Sequence, residues 1–173
     1  MITRNVFQLI FKVLIYLGLY FLVASRISLF HLANCFSYTA VILLLPITSN
    51  PVRTLLFAFL VGLMVDVFHS SPGIHTAATV LLGFFRANFL NWMVPAGGYE
   101  EYMNITIPSM GLKWFLPYMT GLLFLHHSLY FMIDFSDMSQ FGYIMLKSVA
   151  STGFSFLAIV LIQYGIEPPR KAD

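Results

Sequence analysis

Asp66 stands near the end of the apolar run Leu60-Val61-Gly62-Leu63-Met64-Val65-Asp66-Val67-Phe68-His69, and His75 follows after the turn Ser71-Pro72-Gly73-Ile74. One aspartate and two histidines are the residue types of metal ligands and of proton transfer. Their spacing lacks the His-x-x-x-His pair that a metal-binding helix uses, and they fall near a predicted aqueous interface. A carboxylate at membrane depth is costly and normally faces protein or a water-filled cavity with a partner. Asp66 can also be hydrated at the loop, or cap the neighbouring turn, since its oxygens accept backbone N–H bonds. A hydrogen-bonded structural cluster of Asp66, His69 and His75 is favoured over a metal site.

The other polar residues inside apolar segments support no reaction. His126-His127 fall mid-segment, and adjacent helical residues point about 100° apart, so one is expected to face the interior and bond another helix. No His-Glu-x-x-His or Gly-x-Ser-x-Gly pattern occurs, so neither a zinc protease nor a serine hydrolase is indicated. Arg86 is expected to snorkel or to pair with Glu100 or Glu101 in the following loop. That loop, Gly97-Gly98-Tyr99-Glu100-Glu101-Tyr102, suits an interfacial tyrosine belt or a partner surface. The single Cys35 can form neither an internal disulfide nor a metal site. No catalytic, cofactor-binding or metal-binding residue is assigned, and the chain reads as a non-enzyme.

The elements that position these residues follow from composition. The 173 residues are 59% hydrophobic and only 9% charged, against about 25% charged in a soluble domain. Such a chain cannot cover a water-facing surface, so the alternative solvent is the bilayer. The reading is an all-α polytopic membrane protein, one integral domain over 1–173. At about 20 residues per span, six transmembrane helices fit, over about 6–24, 31–48, 52–69, 74–93, 112–133 and 140–164. The first is too long for the core of a signal peptide, and Lys12 is expected to snorkel from it. The second is the weakest, because Asn34 and Pro46 leave a short apolar stretch; a tilted or re-entrant segment is the alternative. Ala58 and Gly62 form a small-xxx-small pair on the face that continues to Asp66, which suits close internal helix packing.

Charge sets an orientation. With six spans, Arg4, Lys12, Arg53, Arg86, Lys113, Arg170 and Lys171 lie on or lean towards the side of the termini, and only Arg26 and Lys147 fall opposite. The positive-inside rule then places both termini in the cytoplasm. No basic cluster exists to hold nucleic acid.

The stretch Phe59 to Phe68 followed by Ser71-Pro72-Gly73-Ile74-His75-Thr76-Ala77-Ala78-Thr79-Val80-Leu81 resembles the rod shape-determining protein MreD family. That family has a Gly-x-x-x-Asp helix, a Pro-Gly turn and another apolar helix, and chain length and spans agree over the whole sequence. Gly98-Tyr99-Glu100, Lys113-Trp114-Phe115 and His126-His127 resemble the form found in Bacteroidetes-type bacteria. The resemblance implies an S-component-like bundle, similar to the substrate-binding subunits of energy-coupling-factor transporters. It implies residence in the bacterial cytoplasmic (inner) membrane, among its lipids, and association with an MreC-like single-span protein, with peptidoglycan synthases and MreB joined indirectly. Gly62, Asp66, Pro72, Gly73 and His75 are carried over as motif positions.

Two functions remain open. One is a scaffold of the cell-elongation complex, motivated by the resemblance and by the absence of a catalytic constellation. The other is a small-molecule or lipid-binding protein of the S-component kind, with Asp66, His69 and His75 lining an outward pocket. Against the second, the first span carries Ala24 as its only alanine and so lacks an Ala-x-x-x-Ala docking face. A channel is disfavoured because few pore-type polar residues line any one helix.

Overall fold

The computed structural model describes residues 2–99 and 104–166. Five long helices are found among them: α1 (Ile2–Leu22), α3 (Pro51–His69), α4 (Ile74–Trp92), α6 (Leu112–Phe135) and α7 (Phe141–Ile166). Two single-turn helices, α2 (Ala40–Leu43) and α5 (Ile107–Met110), lie in the connections. Two residues of strand on each side, β1 (Ser28–Leu29) and β2 (Ala33–Asn34), form a small antiparallel hairpin. Glu100, Glu101, Tyr102, Arg170 and Lys171 lie outside the described residues.

The long helices fall within a few residues of the expected spans, and their ends have local causes. Asn50 caps α3, its side chain accepting from the N–H groups of Val52 and Arg53, with Pro51 at the first helical position. Ser70 ends α3 in the left-handed region, and Gly73, at φ +86°, starts α4. Gly73 is a position where a side chain would be strained. In the exposed loop before α7, bonds from Ser139 hold the Asp137 carboxyl below its usual range.

The 31–48 segment is not the second transmembrane helix that its apolar content suggests. It contains the hairpin's second strand, a 3₁₀ turn at Ser37–Thr39 and the four residues of α2. Pro46 stops the helix early, and the polar groups of Asn34, Ser37 and Thr39 favour turns. Yet this segment is the most enclosed part of the molecule. Every residue from Ser37 to Leu43 is buried. Irregular backbone at membrane depth is stable only when protein surrounds it and satisfies its polar groups. Here the neighbours do so: Tyr118 donates to the Leu43 carbonyl, Arg86 to those of Leu45 and Pro46, and Ser155 accepts from the Phe36 N–H.

The bundle is apolar outside, and its apolar core also holds many buried polar side chains. Phe7, Leu14, Leu22, Leu56, Val67 and Leu161 are all exposed, while Tyr38, His126, His127, Ser148 and Ser155 are completely buried. The stretch Leu9–Arg26 and the helices Pro51–His69 and Phe141–Ile166 are long and apolar enough to cross a membrane. In α4 and α6, Thr79, Arg86, His126 and His127 lower the hydropathy, and all four point into the bundle. An apolar exterior over a hydrogen-bonded interior is the arrangement of a membrane protein.

Candidate functional site

Two helices meet almost backbone to backbone to build the site. A Cβ on Gly62 would lie 2.5 Å from the Thr76 Cα, and Gly83 has room only for the Ala58 methyl beside it. The small residues of α3 thus face Thr76 and Gly83 of α4, and the Ala58–Gly62 face serves internal packing. One turn beyond Gly62, Asp66 reaches the first turn of α4. One carboxylate oxygen accepts from the Ser71 hydroxyl at 2.8 Å and the His75 N–H at 2.9 Å; the other accepts from the Thr76 N–H at 2.9 Å and its hydroxyl at 2.5 Å. Asp66 is therefore a cap supplied by the preceding helix, its charge set against the positive end of the α4 dipole. Pro72 and Gly73 form the turn that permits this reach.

The histidines gather above that cap. His69 and His75 lie 5.2 Å apart by ring centroid, and the Tyr20 hydroxyl lies 2.9 Å from His69 Nε2. Tyr38, from the irregular segment, lies 3.0 Å from His75 Nδ1 and 2.9 Å from His126 Nε2. A phenol has one proton, so Tyr38 donates to one ring and accepts from the other. His126 Nδ1 is buried with no partner. An unpaired ring acceptor costs less than an unpaired N–H donor, since lone pairs go unmet more often than donors. This favours Nε2–H on His126 donating to Tyr38, and Tyr38 donating to His75.

His127 also faces inward, against the expectation that only one of the adjacent pair does so. Its Nδ1 bonds the Leu123 carbonyl one turn back, and its Nε2 lies 3.1 Å from the Ser155 hydroxyl. The two rings meet edge-on, 5.3 Å apart by centroid, and Phe36 packs edge-on against both. Arg86 neither snorkels nor reaches the surface; it is 2% exposed and donates to Leu45 and Pro46 carbonyls. Its expected partners Glu100 and Glu101 lie outside the described residues.

A cavity of about 190 Å³ opens beside the cluster, with Tyr20, Arg26, Asn34, His69, His75 and Tyr130 in its walls. Among the described residues, no group of three His, Cys, Asp or Glu side chains is arranged to hold a metal ion. The Asp66 oxygens are engaged by four donors, and Asp66 is not poised to act as a base.

The sequence reading missed the tyrosines and the hydroxyl row of α7. Tyr20 and Tyr38 carried a signal, since a buried phenol needs a hydrogen-bond partner. Ser148, Ser151, Thr152, Ser155 and Gln163 recur at helical spacing and are all buried on one face of α7. That row corrects the view that few polar residues line any one helix. It is not a pore lining: Ser151 and Ser155 hold the hairpin segment at Asn34 and Phe36, while Gln163 donates to the Ile105 carbonyl.

No family model, curated protein or solved structure matches the chain.

Proposed function

We propose that this chain is a non-enzymatic membrane component of the bacterial cell-elongation complex, of the MreD kind. It would dock an MreC-like single-span protein and bring it beside peptidoglycan synthases. The observation that carries the reading is how the motif residues are used. Gly62, Asp66, Pro72, Gly73 and the His75 N–H are used in joining α3 to α4, and the His75 ring is engaged by Tyr38. The outer face of α3, with Leu56, Leu60 and Val67 exposed, remains apolar and available to a partner helix. Such a division suits a scaffold, and an S-component-like bundle accommodates it.

In this reading the irregular segment makes the second of six passes, and both termini lie in the cytoplasm of a bacterium's inner membrane. A C-terminal alkaline phosphatase fusion is then inactive; an active fusion would overturn the orientation. The function is tested by a mild-detergent pull-down of the tagged protein with mass spectrometry of what it retains. Recovery of a single-span MreC-like protein together with wall synthases is expected. Its absence, with an ATPase pair and a membrane coupling subunit recovered instead, would sink the scaffold in favour of a transporter.

The cavity beside His69 and His75 favours a second reading, a small-molecule-binding membrane protein. Its walls mix phenol, imidazole, amide and guanidinium groups, which suits a polar ligand. A stoichiometric small molecule co-purifying with the wild type, and lost in His75→Ala, would establish this reading over the first.

A further inference from the structure

Arg26 closes the 3₁₀ turn that follows α1, and it is exposed. It lines the cavity of about 190 Å³ beside His69 and His75, together with Ser28, Asn34 and Tyr130. α1 and α3 end at this cavity and α4 begins there, so it opens at one end of the bundle. Ser28 and His69 are exposed as well, which leaves the recess within reach from outside. Among the described residues no Asp or Glu lines it, and none hydrogen-bonds the Arg26 guanidinium. The Asp66 carboxylate is committed to four donors at the start of α4. Asp134, one turn beyond Tyr130, is exposed and is not part of the walls. The permanent charge of Arg26 and its planar fork of donors therefore remain for a guest.

Size and lining narrow the guest. A cavity of about 150 Å³ holds benzene, so this one takes a single six-membered ring with a small substituent. Tyr130 is half-buried, 4.6 Å from His75 and 4.8 Å from Phe36 by ring centroid. Phe36 and His75 are almost fully buried, and Tyr130 is the ring a guest can reach. A flat ring packs edge-on or offset against such a surface, and a carboxylate beside a guanidinium takes two parallel hydrogen bonds. We propose, on the second reading of the function above, that the cavity binds a small one-ring organic acid, its carboxylate on Arg26 and its ring against Tyr130.

Isothermal titration of the detergent-purified full chain with benzoate, and with its neutral isostere benzamide, tests it. One benzoate binds per chain, about tenfold more tightly than benzamide, the difference between charged and neutral hydrogen bonds. Arg26→Gln abolishes that preference and leaves the unfolding temperature unchanged, because the side chain is exposed and bonds no described residue. Arg26→Lys keeps part of it, since the charge stays and the fork is lost. Tyr130→Leu weakens both probes by about threefold or more, the loss of a ring contact, whereas Tyr130→Phe binds them as the wild type does. Benzamide binding as tightly as benzoate, or a neutral molecule co-purifying, would refute the acid and leave the small-molecule reading standing. Wild-type protein that binds no benzoate would refute it as well. So would native mass spectrometry showing an intact anionic phospholipid on the wild type that is lost in Arg26→Gln, since the charge would then serve a lipid headgroup.

Discussion

Gly62 and Thr76 touch through their backbones, with no side chain between the two helices at that point. The contact sets how closely α3 and α4 pack, and it brings Asp66 within reach of the first turn of α4.

A side chain at position 62 must therefore push the helices apart. Gly62→Ala lowers stability by about 1–3 kcal/mol, the range for overpacking, and Gly62→Leu by more. Gly18 in α1 has no atom within 4 Å of where a Cβ would stand, so Gly18→Ala is neutral or gains up to about 1 kcal/mol. Thermal unfolding in detergent, followed by circular dichroism, compares them; equal midpoints for the two alanine variants would refute the close approach.

Asp66→Ala leaves the N–H groups of His75 and Thr76 unmet and removes the partner of two hydroxyls. The expected loss is about 1–2 kcal/mol, that of a helix cap. Asp66→Asn keeps one accepting oxygen and falls between Ala and wild type. If Asp66→Asn is as stable as wild type, the second oxygen does nothing for the cap.

The Tyr38 hydroxyl hydrogen-bonds both His75 and His126. Tyr38→Phe conserves the ring and removes the hydroxyl, stranding a nitrogen on each histidine at a cost of about 1–3 kcal/mol. In a double-mutant cycle with His126→Phe, the two changes are expected to couple by about 0.5 kcal/mol or more. Strict additivity would show that the hydroxyl does not serve His126.

Cys35 is the sole cysteine and lies buried between Asn34 and Phe36, both held by α7 hydroxyls. A membrane-permeant maleimide is thus expected to label it slowly in the native protein and fast after denaturation. Ser155→Ala frees the Phe36 N–H and speeds native labelling severalfold, by loosening the segment. Labelling in the variant at the wild-type rate would show that Ser155 is not its fastening.

The five long helices were legible because each joins an apolar run to a terminator: Asn50-Pro51, Ser70 to Gly73, and the glycine before Leu112. Asp66 was legible too, since a carboxylate beside a turn has few stable uses and capping was among them. The 31–48 segment misled because hydropathy reports burial without reporting conformation. Its apolar core is as enclosed as a helix would be, but Pro46 and the turn-forming Ser37 and Thr39 leave only one turn of α2. Tyr38 and Ser155, 117 positions apart, come together at Phe36 and the two histidines, and nothing local in the sequence announces such a pairing.

The fastening of that segment has a consequence for biogenesis. Its backbone partners are Arg86 in α4, Tyr118 in α6 and the hydroxyls of Ser151 and Ser155 in α7, all translated after it. Hydrocarbon provides none of those hydrogen bonds. The segment cannot reach its folded state when it leaves the ribosome; its backbone stays without these partners until α7 has been made. Folding here is out of order with synthesis, and α7, made well after the segment, is one of the helices that lock it in place.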